Sequence, residues 1–453
     1  MAAQSFRLLL SIPREHPNAS LFSDPAALRS EMQKWVRGLP GDERSALAPI
    51  LAPDWTLVGR EGRIFPKLSR SVVFEEQVAA IRIDIPPGIK WDVDDIQRYA
   101  EIVRKTTGIV CQGDGLLQSA SWAPGDAFGT RAQARELIGL HPFQATQPTG
   151  RVNVVIVDQG FDGSAFPTRF AGGFAVGSRL PGKGRSRHAM MIARTVHDLA
   201  PDARLYDCPL IPTPPPGVPA SLRDITASTL DAATLIFKIG AILRLHRKHG
   251  HATGSWVFVN SWAIYDRTSD VSDVRYCTDR QHVLNRAIAA LVNDHGADVV
   301  FAAGNCGQFE PDGRCGHGDC GPDRSILGAN SLSEVVTASA VRVDRTWLGY
   351  SSQGRGQPSL GLHKPDLCAP SQFADDTDAN RVSTGTSSAA AVVGGAIAVL
   401  RGRWDQSAVS PAAMKQALWA SATAPNPAGV ARRTGAGIVN VSGAAKVLAG
   451  GAV

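Results

Sequence analysis

No apolar run in this chain is long enough to cross a bilayer as a helix. The longest, Ala389 to Leu400, has 12 residues and contains Gly394 and Gly395, where about 18 uninterrupted apolar residues are needed. The amino-terminal stretch Leu8 to Ile12 is ended by Pro13, Arg14 and Glu15, too short for the roughly 7–15-residue core of a secretory signal. The expectation is a cytoplasmic protein without membrane contact, although export by a specialised machine would leave no such mark. An excess of one charge is also missing. Lys and Arg number 47 against 41 Asp and Glu, a formal net charge of +6 with no basic block, so no nucleic-acid footprint is expected. Cysteine is sparse and odd in number. The seven at 111, 208, 277, 306, 315, 320 and 368 have irregular spacing that does not suggest a disulfide framework.

What is present points to more than one domain. The 453 residues exceed an average domain, and 43% hydrophobic with 19% charged residues suits a sizeable core. Composition shifts near 112–130, where Gln112-Gly-Asp-Gly and Trp122-Ala-Pro-Gly-Asp read as loop. Before it, Ile81, Ile83 and Ile85 alternate with polar residues up to Pro86-Pro87. Ile96, Tyr99 and Val103 follow at helical spacing, with Asp92 or Asp94 as cap and Gly108 as stop, and Ile109 to Cys111 forms a further strand. Residues 75–111 are therefore expected to form a strand–helix–strand unit, with a helix near Ala26 to Val36 upstream. There are no internal repeats.

After residue 150 the pattern changes. Runs at Arg151 to Asp158, Ser255 to Asn260, Asp298 to Ala303 and Glu334 to Ala338 are nearly continuous in apolar, mostly β-branched residues, with helical stretches at Leu230 to His246 and His282 to Asp294. Such alternation predicts an α/β fold with a parallel sheet covered on both faces. In these sheets active groups gather at the carboxyl ends of strands. Asp158 and Asn260 end two runs, and Asn305 closely follows a third.

Singly, the candidate residues carry modest weight. An Asp before Gln159-Gly160 can be a turn former, and His188 at the head of an apolar helix can be a cap. His197 and the group His246, His249 and His251 compete with it, the latter at the end of a basic helix where cations suit the dipole. Ser387 enters a helix of Ala, Val and Gly whose small residues permit tight packing. A helix start also favours developing negative charge.

Together and in this order they resemble one family. Val154-Val-Ile-Val-Asp-Gln-Gly160, His188-Ala-Met-Met-Ile-Ala193 and Gly385-Thr-Ser-Ser-Ala-Ala390 resemble the Asp, His and Ser motifs of the subtilisin-like serine proteases. Ala200 to Tyr206, Phe301 to Asn305, Lys364 to Pro370 and Gly435 to Val441 resemble further landmarks. The resemblance covers about 131–453. It implies a three-layer, doubly wound, mainly parallel sheet at 131–453; it does not reach residues 1–130, which their own pattern reads as an α+β extension. It implies an endopeptidase whose triad is Asp158, His188 and Ser387 and whose oxyanion donor is Asn305. Ser261, Trp262 and Ala263 would pair with an extended polypeptide substrate, and no metal or organic cofactor is implied. Ala189, Met190, Met191, Ser388 and Ala391 depart from the family pattern at supporting positions, and a catalytically weak, peptide- or partner-binding relative is the alternative.

Two regions stay open. The insert from Asn305 to Ser331 carries Cys306, Cys315, His317 and Cys320. It reads first as a flexible specificity loop with free thiols, with a zinc site or a disulfide as the other readings. Residues 1–130 read as a segment that restrains the protease, or as an adaptor for a regulatory protein partner.

Overall fold

A computed structural model of the chain describes residues 7–13, 24–52, 55–57, 78–84, 93–113, 116–120, 126–140, 151–175, 179–212, 226–248, 254–270, 274–375, 381–426 and 430–450. Its amino-terminal part is built from β1 (Arg7–Pro13), α1 (Pro25–Arg37), α2 (Gly41–Leu51), β2 (Trp55–Leu57), β3 (Val78–Asp84), α3 (Val93–Thr107) and β4 (Val110–Gly113). The strands form an antiparallel sheet in the order β2-β3-β1-β4. The expected strand–helix–strand unit is β3, α3 and β4; Ile85 lies outside the described residues. The helix expected at 26–36 is α1. Asp24 caps its first turn by accepting from Ala26 and Ala27, and Pro25 follows the cap. Leu8 to Ile12 forms most of β1, between β3 and β4, and Leu8 and Leu10 pack with Leu28, Met32, Ile83 and Val103 in a core of their own.

A short strand, β5 (Leu116–Ser119), follows between the two stretches read as loop. The larger part continues with α4 (Arg131–Leu137), β6 (Val152–Asp158), β7 (Phe170–Gly173), α5 (Arg187–Leu199), β8 (Arg204–Pro209), β9 (Thr226–Ser228), α6 (Thr229–Lys248), β10 (Ser255–Asn260) and β11 (Trp262–Ala263). Then come α7 (Val283–Asn293), β12 (Asp298–Ala302), β13 (Val336–Val341), β14 (Leu367–Pro370) and α8 (Gly385–Arg401). Seven strands pair in parallel in the order β14-β13-β12-β10-β6-β8-β7.

The continuous apolar runs follow from burial on both faces. Val154, Ile156, Val257, Val259 and Val300 join one core with Ile192 and Val196 of α5 and with α8. Val155, Val157, Phe258 and Phe301 join another with Leu235 and Ile239 of α6 and with Leu284 and Ile288 of α7. This is the expected three-layer α/β arrangement.

Two features fix α8 against the sheet. A Cβ at Gly394 would stand 2.4 Å from Val259 Cγ2, and one at Gly395 2.8 Å from Leu199 Cδ1, so only glycine permits this approach. At the far end, the buried Arg401 guanidinium meets Asp298 at the start of β12 through Nε–Oδ2 (2.6 Å) and Nη2–Oδ1 (2.8 Å). Among the described residues no helix is long and apolar enough to cross a membrane.

Candidate active site

Asp158 ends β6, fully buried, and His188 lies in the first turn of α5. Ser186 caps that helix by accepting from Ala189 N–H, and its hydroxyl donates to Gln159, the residue after Asp158. One side chain thus ties the strand end to the helix start. His188 Nδ1 lies 2.8 Å from Asp158 Oδ1. Its Nε2 is buried and makes no hydrogen bond among the described residues.

Asn305 and Ser387 meet around a different atom. Asn305 follows β12 through Gly304, whose φ of +99° suits glycine. The Asn305 carboxamide oxygen accepts from Thr386 N–H (3.1 Å) and Thr386 Oγ1 (2.9 Å). Those donors orient the amide so that Nδ2 faces the Ala120 carbonyl oxygen at 2.9 Å. Ser387 Oγ donates to the same oxygen at 2.7 Å.

Ala120 directly follows β5, and the two continue one extended segment. The Ala120 N–H donates to the Ser261 carbonyl at 2.7 Å. Ser119 and Gln118 stand opposite Trp262 and Ala263, antiparallel, while Gln118, Leu117 and Leu116 stand opposite Thr226, Ala227 and Ser228 of β9. Residues 116–119 are therefore the middle strand of a three-stranded sheet, β11-β5-β9. Ser261, Trp262 and Ala263 use only their backbones here. The Trp262 ring points into the core, edge-on to Phe301 with centroids 4.9 Å apart.

Two of the departures from the family pattern bridge the motif segments. Met190 Sδ accepts from Asp162 N–H at 3.3 Å, and Met191 Sδ accepts from Thr384 N–H, just before α8, at 3.2 Å. Thioether sulfur is a weak acceptor, but these contacts join the Asp, His and Ser segments. Of the competing histidines, His197 packs edge-on against Phe166 at 5.3 Å; His249 and His251 lie outside the described residues.

A second carboxyl, Asp207 on β8, was not singled out by the sequence. Burial pushes its pKa up to about 7, and the negative charge of Asp158 adds to this, while N–H donors from Gly182 and Phe161 pull the other way.

The insert corrects the free-thiol expectation. Cys306 and Cys315 are joined in a disulfide, and Cys320 alone of the three is free. The crosslink ties up two of the four ligands the zinc reading needs, and no metal-binding cluster of His, Cys, Asp and Glu occurs among the described residues. The pair is nine positions apart, and the Asn305 carbonyl accepts from Asp312 N–H at 2.9 Å, so the loop folds back on its own base.

No curated protein matches the chain in sequence. Solved structures share its fold. Fervidolysin from Fervidobacterium pennivorans, a keratinolytic enzyme related to subtilisin, aligns over 98% of this chain and 61% of its own at 15% identity and a TM-score of 0.56. The epidermin leader peptide processing serine protease of Staphylococcus aureus aligns over 97% and 98% at 14% identity and 0.52. MycP1 from the ESX-1 type VII secretion system aligns over 73% and 89% at 20% identity and 0.50. Residues 229–437, which include Asn305 and Ser387 but not Asp158 or His188, match the model of the subtilase family of peptidases. Residues 229–437 are thus similar to the subtilase family of peptidases, and the fold is the one that solved subtilisin-like proteases share.

Proposed function

We propose that the protein is an endopeptidase in which Asp158, His188 and Ser387 form the triad, Asn305 is the oxyanion donor, and residues 116–120 restrain the cleft as a substrate-like strand. The observation that carries this reading is the convergence of Ser387 Oγ and Asn305 Nδ2 on one carbonyl oxygen, that of Ala120.

In this mechanism Ser387 Oγ attacks the carbonyl carbon while its proton passes to His188 Nε2. Asp158 keeps the other ring nitrogen protonated and stabilises the imidazolium. Asn305 Nδ2 donates to the oxyanion. Collapse breaks the C–N bond, the imidazolium protonates the departing amine, and water hydrolyses the acyl-enzyme through the same base. In the chain itself the bond so presented is Ala120–Ser121. Antiparallel pairing on both sides reads the substrate backbone, which is how extended peptides add to sheet edges.

The test is incubation of the purified full chain beside Ser387→Ala, with amino-terminal sequencing and labelling by a fluorophosphonate. A new terminus at Ser121 in the unsubstituted chain alone is expected. A chain that is labelled yet stays whole would keep the protease and discard the self-cleaved bond. A chain neither cleaved nor labelled would overturn the reading.

A further inference from the structure

β5 has one carbonyl turned away from β11. Ser119 faces Trp262 as a non-hydrogen-bonded pair, because the adjacent Ala120 N–H is the donor to Ser261. The Ser119 carbonyl therefore points to the other side, where the β9 ladder ends at Thr226 opposite Gln118. Arg314 of the disulfide loop donates to it from Nη1 at 3.0 Å, and the Tyr265 hydroxyl lies 3.4 Å away.

The guanidinium is held from several sides. Asp312 takes Nε on Oδ1 (2.9 Å) and Nη2 on Oδ2 (2.7 Å). The Tyr265 ring lies beneath it, 4.2 Å from centroid to Cζ, and the Tyr265 hydroxyl accepts from Nη2 at 3.2 Å. Next along the chain is Cys315, crosslinked to Cys306, which itself follows Asn305. Gly316 N–H then donates to the Tyr265 carbonyl at 2.9 Å. An arginine pre-organised in this way loses little freedom when it binds a carbonyl.

We propose that Arg314 is a substrate-positioning residue, which grips the carbonyl of the second residue on the acyl side of the bond cut and is fixed there by the Cys306–Cys315 crosslink. The preferred substrates are extended polypeptides with at least two residues before the cut, recognised at this point chiefly through the backbone, with a longer contact from Arg314 Nη1 to the side chain of the preceding residue, Gln118 Oε1 at 3.5 Å. The inference rests on the protease reading above.

The probe is the peptide Leu-Leu-Gln-Ser-Ala p-nitroanilide, beside the same peptide with the Ser carbonyl replaced by a thioamide, whose sulfur is a poor acceptor. Both are given to the self-processed protein, freed of its severed amino-terminal segment, in the unsubstituted form and as Arg314→Met. A fluorophosphonate, which has no such carbonyl, counts the active Ser387. The unsubstituted protein should lose about tenfold or more in kcat/KM on the thioamide, in line with a charge-assisted hydrogen bond. Arg314→Met should lose about as much on the oxygen peptide, show almost no oxygen-to-sulfur contrast, and label at the normal rate. If Arg314→Met does not fold, Arg314→Lys replaces it and should lose most of the contrast. An undiminished contrast in the variant, or none in the unsubstituted protein, would overturn the inference. Absence of labelling in the unsubstituted protein would instead overturn the protease reading.

Discussion

Asn305 Nδ2 lies 2.9 Å from the carbonyl oxygen of Ala120, a residue 185 positions earlier in the chain. The amide is aimed by Thr386, not by Ala120, so its direction is set before any substrate arrives. In the proposed mechanism a donor so placed acts mainly on charge that develops in the transition state. Asn305→Ala should lower kcat by about a hundred- to a thousandfold with little change in KM. Steady-state kinetics on a peptide anilide checks this; a rise in KM at unchanged kcat would make Asn305 a ground-state contact.

Gly394 offers a test of the packing of α8. A methyl there would overlap Val259 on β10. Gly394→Ala should destabilise the protein by about 1–3 kcal/mol despite its better helix propensity. Adding Val259→Ala should recover part of the loss, and thermal melts of the three variants would show whether the contact limits the approach.

The pair of Arg401 and Asp298 ties the end of α8 to the start of β12, and Arg401 Nη1 also serves the carbonyls of Trp404, Asp405 and Val409. Arg401→Met strands a buried carboxylate and those carbonyls. A loss of about 3–5 kcal/mol is expected in urea unfolding, the cost of breaking one side of a buried ion pair. A loss under about 1 kcal/mol would mean that water replaces the guanidinium.

His282 sets part of the acid limb of stability. It is buried at the start of α7, where its Nδ1 accepts from Leu284 N–H at 3.2 Å, and burial depresses its pKa from 6.5 to about 3. Its stabilising contribution is therefore complete above about pH 6.5 and is lost as pH falls towards 3, by roughly 3–5 kcal/mol in all. His282→Asn keeps an acceptor at the cap without the titration. Unfolding free energies measured from pH 7 to 4 should fall less steeply in the variant than in the parent.

How much of this was legible beforehand depends on what kind of signal each part leaves. The sheet was legible because strands buried on both faces leave continuous apolar runs. Asp158, His188, Asn305 and Ser387 stood out by residue type and order. In the fold Asp158 and His188 share one hydrogen bond, Asn305 and Ser387 share one carbonyl, and Met191 links α5 to the residue before α8. Ala120 was not legible. A strand in a sheet is held by its backbone, which every residue has, and Leu116 to Ala120 carries no distinguishing side chain. The Cys306–Cys315 pairing was equally hidden, since it depends on how the loop returns to its base. The weight of Arg314 follows from that return, and Asp207 drew no notice because its neighbourhood, not its sequence context, makes it unusual.

If residues 116–120 restrain the site as proposed, the restraining strand is covalently part of the protein it occupies, and this sets its competition with any other peptide. A tethered segment meets its site at an effective concentration in the millimolar range, and dilution does not lower it. A free substrate at micromolar concentration would therefore be outcompeted at every protein concentration. Breaking the tether changes that at once: the severed segment becomes an ordinary ligand subject to mass action, and occupancy of the cleft begins to depend on how much protein is present.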